Sequence, residues 1–162
     1  MSEEDFVVRN IEISQDAVFD LNDILKFLRD WFKTNGYGNT EKKHAEENKS
    51  GNLSLKLSWQ PEKKVDEYVK FHINIDIKVK AKQVLVKNKK MYQGNVLIEL
   101  EATMEKDYDD EWSGSITKKF VRGAYDKFVT PDKMSKYEKK LKEDVKDLQD
   151  EIKSYLNLVK EK

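Results

Sequence analysis

From Val65 to Val79 the apolar side chains Val65, Val69, Phe71, Ile73, Ile75, Ile77 and Val79 all fall at odd positions. Between the later ones stand Lys70, His72, Asn74, Asp76 and Lys78. A strand sends successive side chains to opposite faces, so the run predicts one long strand with a greasy and a wet face. Beyond Val79 the apolar phase moves to the even positions Val84 and Val86, which predicts a β-bulge within Ala81–Gln83. Lys87-Asn88-Lys89-Lys90 is the turn, and Tyr92, Val96, Ile98, Leu100, Ala102 and Met104 form the return strand. The result is a long bulged hairpin over 65–105. Its expected register sets Val79 against Ile98, Ile77 against Leu100, Ile75 against Ala102 and Ile73 against Met104. A two-residue slip keeps the same faces, so alternation fixes faces more firmly than register.

The remaining pattern supplies shorter elements. Phe6–Ile13 reads as a strand, and Leu21, Ile24, Leu25, Leu28, Trp31 and Phe32 form one helical face starting from Asp16 or Asp20. Gly36 ends that helix as a left-handed cap. Residues 39–51 suggest a weak strand and a turn. Leu53, Leu55, Leu57 and Trp59 then alternate as a strand that Gln60-Pro61 breaks. Ile116, Phe120, Val121, Ala124, Tyr125, Phe128 and Val129 fit a helix capped by Ser113, and Thr130-Pro131 starts a long last helix over 131–160. In it Leu141, Val145, Leu148, Ile152, Tyr155 and Val159 step as a heptad seam. The expected fold is α+β: a twisted, bent antiparallel sheet of about five strands, covered on one face by an N-terminal helix and two C-terminal helices. Residues 1–162 form a single domain in this reading, with 1–5 as a flexible tail.

Composition narrows the function classes. Lysine and arginine total 31, as do aspartate and glutamate, so the formal net charge is zero and a general nucleic-acid binder is not expected. Residues 99–111 are acidic and 118–142 basic, and such adjacent segments are expected to pair with each other. The chain has no cysteine, which removes disulfides, zinc–thiolate sites and thiol catalysis. An acidic start and no long apolar stretch point to a cytoplasmic protein with no membrane segment.

Candidate chemistry concentrates on the wet face of the hairpin. In the expected register Lys78 faces Glu99, His72 faces Glu105 and Lys70 faces Asp107, all favourable pairs. Asp76 faces Glu101, an unfavourable one that could share a proton, hold a hard cation or work as an acid–base pair. Asp76, Glu101 and His72 are therefore the candidate catalytic residues, and Asp76 and Glu101 the candidate metal ligands. Asp107–Glu111 fails as an EF-hand loop, because Trp112 and Lys118 hold its sixth and twelfth places. His44, among Glu41, Glu46 and Glu47, reads as a surface histidine. There is no nucleophile elbow, P-loop or dinucleotide fingerprint, and no cofactor is expected.

The stretch Phe120-Val121-Arg122-Gly123-Ala124-Tyr125-Asp126-Lys127-Phe128, followed by Tyr137-Glu138 and Leu141, resembles a pattern in a family of small uncharacterised archaeal α+β proteins. Trp31-Phe32 followed by Gly36-Tyr37 extends that resemblance, which implies no activity. A bent sheet closed by a C-terminal helix also resembles helix-grip proteins, which hold apolar ligands. Three readings follow. The first is a non-catalytic module acting by protein–protein contact or self-association, with Leu141, Val145, Leu148, Ile152, Tyr155 and Val159 as a seam that either packs into the concave face of the sheet or pairs with another copy as a short coiled coil. The second is a carrier or sensor of a small apolar ligand between sheet and helices. The third is a carboxylate-based metal site or enzyme on the hairpin.

Overall fold

The computed structural model of the chain describes residues 3–38, 41–106 and 131–159. Its elements run β1 (Glu3–Phe19), α1 (Leu21–Thr34), β2 (Glu41–Lys49), β3 (Asn52–Trp59), β4 (Glu62–Lys64), β5 (Val69–Val86), β6 (Lys89–Lys106) and α2 (Pro131–Leu158). The strands form one six-stranded antiparallel sheet in the order β1-β6-β5-β3-β2, with β4 also paired to β5. The described residues hold two helices. The expected helix after Ser113 and the acidic-to-basic pairing around it lie outside the described residues. Among the described residues, no helix is long and apolar enough to cross a membrane.

The β5–β6 hairpin corrects the expected register by two residues. Ile75 faces Leu100, Ile77 faces Ile98, Val79 faces Val96 and Ile73 faces Ala102, with no bulge between the arms. The turn decides this. Lys87 and Asn88 both have positive φ, 49° and 65°, and Val86 pairs directly with Lys89. Such a two-residue turn carries the right-handed twist of its flanking strands and leaves no slack for an extra residue. The phase change at Val84 and Val86 follows from exposure, since Leu85 is 72% and Val86 38% exposed at the hairpin tip. Side chains there have no buried face to obey.

Bulges occur instead in β1, between Phe6 and Val8 and between Val8 and Ile11, where Asn10 takes a φ of 43°. β1 also starts earlier than expected: Glu3, Glu4 and Asp5 pair with Lys106, Glu105 and Met104, so residues 3–5 are strand rather than tail. β3 and β4 keep one common register along β5, Trp59 on Ile75 and Glu62 on His72. Pro61 interrupts them because it has no N–H to give the ladder, yet its carbonyl still accepts from Ile73 N at 3.0 Å. Edge strand β2 is exposed throughout and heavily charged, as an edge that must not recruit another strand should be.

The odd face of β5 and the even face of β6 form the core with both helices. Ile73, Ile75, Val79, Leu100 and Ala102 are fully buried, with Phe19, Leu28 and Phe32 beside them. Asp20 caps α1 by accepting from Asn22 N at 2.9 Å, and Gly36, φ 85°, follows the helix end. α2 buries Leu141, Val145, Leu148, Ile152 and Leu156 and half-buries Tyr155, and Val159 just past its end packs against the same core. The heptad seam therefore packs within the chain.

Polar contacts lock the helices together. Trp31 Nε1 donates to Asp147 Oδ2 at 2.9 Å, and the Tyr37 hydroxyl donates to Asp144 Oδ2 at 2.8 Å. Asp144 also takes the Lys140 ammonium at 3.0 Å. Burial first, then the Asp144 charge and hydrogen bond, push the Tyr37 phenol far above its ordinary value. At the other end of α2 the Tyr137 hydroxyl donates to Asp66 Oδ2 at 2.8 Å, beside the turn into β5. Burial and then that bond push it up to about 12.

Candidate functional site

Both helices bury against the apolar face, so among the described residues the other face of the sheet is left to solvent and to polar side chains. Along β5 that face carries Lys70, His72, Asn74, Asp76 and Lys78, and the corrected register sets the last four opposite Thr103, Glu101, Glu99 and Leu97. The like-charged pair directly opposite is thus Asp76 with Glu99, not Asp76 with Glu101. Each carboxylate finds relief. Asp76 Oδ1 accepts from the Ser58 hydroxyl at 2.6 Å, and Glu99 Oε1 takes the Lys78 ammonium at 3.1 Å.

Asp76 and Glu101, set face to face by the expected register, are diagonal neighbours that line one cleft. With Glu99, Asn74, Ser58 and Gln60 they line an open cleft of about 310 Å³ on the polar face, with Asn10 and Lys42 at its margin. Strands β1, β2, β3, β5 and β6 each contribute, and the bulge that gives Asn10 its positive φ brings β1 into the lining. Three carboxylates against one lysine make the lining acidic. Its amide and hydroxyl groups supply donors and acceptors at fixed strand positions.

His72 does not line that cleft. It lies two residues from Asn74 along β5, about 7 Å by strand rise, and it is buried where an exposed wet-face residue is expected, at 6% exposure. Its Nε2 is 2.7 Å from Glu105 Oε1, the partner expected from sequence, reached diagonally. Two further carboxylates approach: Glu4 Oε1 at 3.8 Å from Nε2 and Glu62 Oε2 at 3.7 Å from Nδ1. Glu4 sits opposite Glu105 on β1, and Glu62 opposite His72 on β4. His72 Nδ1 and Thr103 Oγ1 are both buried without a hydrogen-bond partner. Glu4 and Glu62 escaped the sequence reading because Glu4 lay in the supposed tail and Pro61 seemed to end a strand.

His44 is exposed, its ring 3.0 Å from Glu41 Oε1 and 3.3 Å from Glu46 Oε2 through different nitrogens. A groove of about 520 Å³ between β1 and the end of α2 is lined mostly by polar residues, among them Glu12, Ser14, Gln15, Lys153, Ser154 and Asn157. Comparison with protein-family models, with curated proteins and with solved structures found no match.

Proposed function

We propose that the protein is a non-catalytic binding module whose working surface is the polar sheet face, and that its cleft accepts the cationic side chains of a protein partner. The observation that carries this reading is the gathering of Asp76, Glu99 and Glu101 from two paired strands in one open cleft. An ammonium or guanidinium entering it meets three carboxylates, and the side-chain amides of Asn74 and Gln60 can turn their carbonyl oxygens to it. Most of the attraction sits at a solvated surface, so it weakens as salt is added. Self-association through the α2 seam is not part of this proposal, because the seam is spent on the core. Nor is an apolar ligand: among the described residues Phe19, Phe32 and Phe71 are buried in the core, and the β1–α2 groove is mostly polar.

The test is a titration with a lysine- and arginine-rich peptide, followed by amide NMR at low and high salt. Shifts should cluster at Ser58, Asn74, Asp76, Glu99 and Glu101 and shrink with salt. The pair of changes Asp76→Asn and Glu101→Gln should abolish them. Shifts that survive the double substitution, or that scatter over the β2 edge, would reject the cleft as the binding surface.

A further inference from the structure

We propose that Glu4, His72 and Glu105 form a binding site for a divalent transition-metal ion, separate from the acidic cleft. Their donor atoms all lie within 4.8 Å of one another. Two ligand atoms each about 2.1 Å from one ion are about 3.0 Å apart at right angles and about 3.4 Å apart at the tetrahedral angle. His72 Nε2 and Glu105 Oε1, at 2.7 Å, reach that separation by a small opening of the Glu105 side chain. Glu4 Oε1, 3.8 Å from Nε2, belongs to a half-exposed side chain free to close the remainder. One imidazole with carboxylates suits zinc, manganese or ferrous iron better than calcium, which takes oxygen alone.

Three independent features point the same way. His72 is buried on rigid paired strands, so its ring is held in place before any ligand arrives. Its second nitrogen faces Glu62 Oε2 at 3.7 Å, and a metal on Nε2 would place the proton on Nδ1, toward that carboxylate. Metal-bound histidines recurrently make that carboxylate contact. The buried, unpartnered Thr103 hydroxyl stands directly opposite His72 in the ladder, where it can bond a water completing the coordination. Charge agrees as well. Among the described residues three carboxylates meet one imidazole, which carries at most one positive charge, and the Lys70 ammonium stands 3.3 Å from Glu62.

The experiment uses the full chain, stripped with chelator and titrated with Zn²⁺ by calorimetry, with Mn²⁺ as a paramagnetic probe. One equivalent of Zn²⁺ should bind, and Mn²⁺ should broaden the His72 ring resonances before those of His44. Glu105→Gln and Glu4→Gln should each weaken binding at least tenfold, Glu62→Gln about tenfold, and His44→Gln should leave it unchanged. Glu4 is exposed enough to change without unfolding the chain, so it decides the matter if Glu105→Gln does not fold. Binding that disappears with His44→Gln, or persists unaltered in Glu4→Gln, overturns the assignment. So does the absence of binding at millimolar Zn²⁺.

Discussion

Replacing Tyr37 by Phe isolates the contact that ties the end of α1 to α2. The ring is 3% exposed and its hydroxyl donates to Asp144 Oδ2 at 2.8 Å, so the substitution removes one oxygen and leaves the packing in place. A hydrogen bond to a charged acceptor contributes about 1.5–3 kcal/mol. Asp144 keeps Lys140 at 3.0 Å, which favours the lower part of that range. For a chain of this length the loss corresponds to a fall in Tm of about 3–12 °C. A double-mutant cycle with Asp144→Asn should show a coupling above about 1 kcal/mol, as expected of residues in direct contact.

The same pair predicts a pH signature. The folded phenol is held above its ordinary value, chiefly by burial and then by Asp144. Below the unfolded value of about 10 both states keep the proton and the contribution is intact. As pH rises past that point the unfolded chain releases the proton while the folded one keeps it, so stability falls by about 1.4 kcal/mol per unit. Denaturant unfolding at pH 9 and pH 11 should therefore show the native chain losing about 1.4 kcal/mol more than Tyr37→Phe. Lysine titration is common to both proteins and cancels in the difference. Parallel pH profiles, or a cost below about 0.5 kcal/mol at neutral pH, would refute the buried donor–carboxylate contact.

Three other outcomes follow from packing. A Cβ at Gly94 would lie 2.2 Å from the Lys80 carbonyl and 2.5 Å from Ala81 Cα, so Gly94→Ala should destabilise by about 1–3 kcal/mol in urea unfolding, and a neutral result contradicts that approach. Leu148→Ala, at a fully buried seam position, should cost about 2–5 kcal/mol without altering the oligomeric state by light scattering; a change of assembly at constant stability would restore the seam as an interface. Asn88→Gly relieves a φ of 65° and should raise stability by up to about 1 kcal/mol, whereas a loss would mean that the Asn88 side chain, not its backbone, holds the turn.

The hairpin shows how far alternation reaches. Burial of the odd residues of β5 and the even residues of β6 is written in the sequence, because a one-residue error would put Ile75 in water and Asp76 in the core. A two-residue error moves no side chain across the sheet, so hydrophobicity cannot detect it. The choice rests on Lys87 and Asn88 adopting positive φ, and lysine gives little sign of doing so. That slip carries over to the chemistry. The expected register sets Asp76 against Glu101; both line one cleft, but the carboxylate directly across from Asp76 is Glu99. The pair His72–Glu105 survived the slip because a diagonal neighbour on the same face is still within reach of long side chains. What alternation misses is burial of a polar face. His72 is enclosed by Glu4 and Glu62, which reach it only because β1 begins at Glu3 and because β4 resumes the register of β3 beyond Pro61. The first is set by strand pairing across nearly the whole described sheet, Glu3 on Lys106, and the second by the short turn that lays Glu62 on His72. A local reading sees an acidic terminus and a proline break, whereas the folded sheet lays those glutamates beside one histidine.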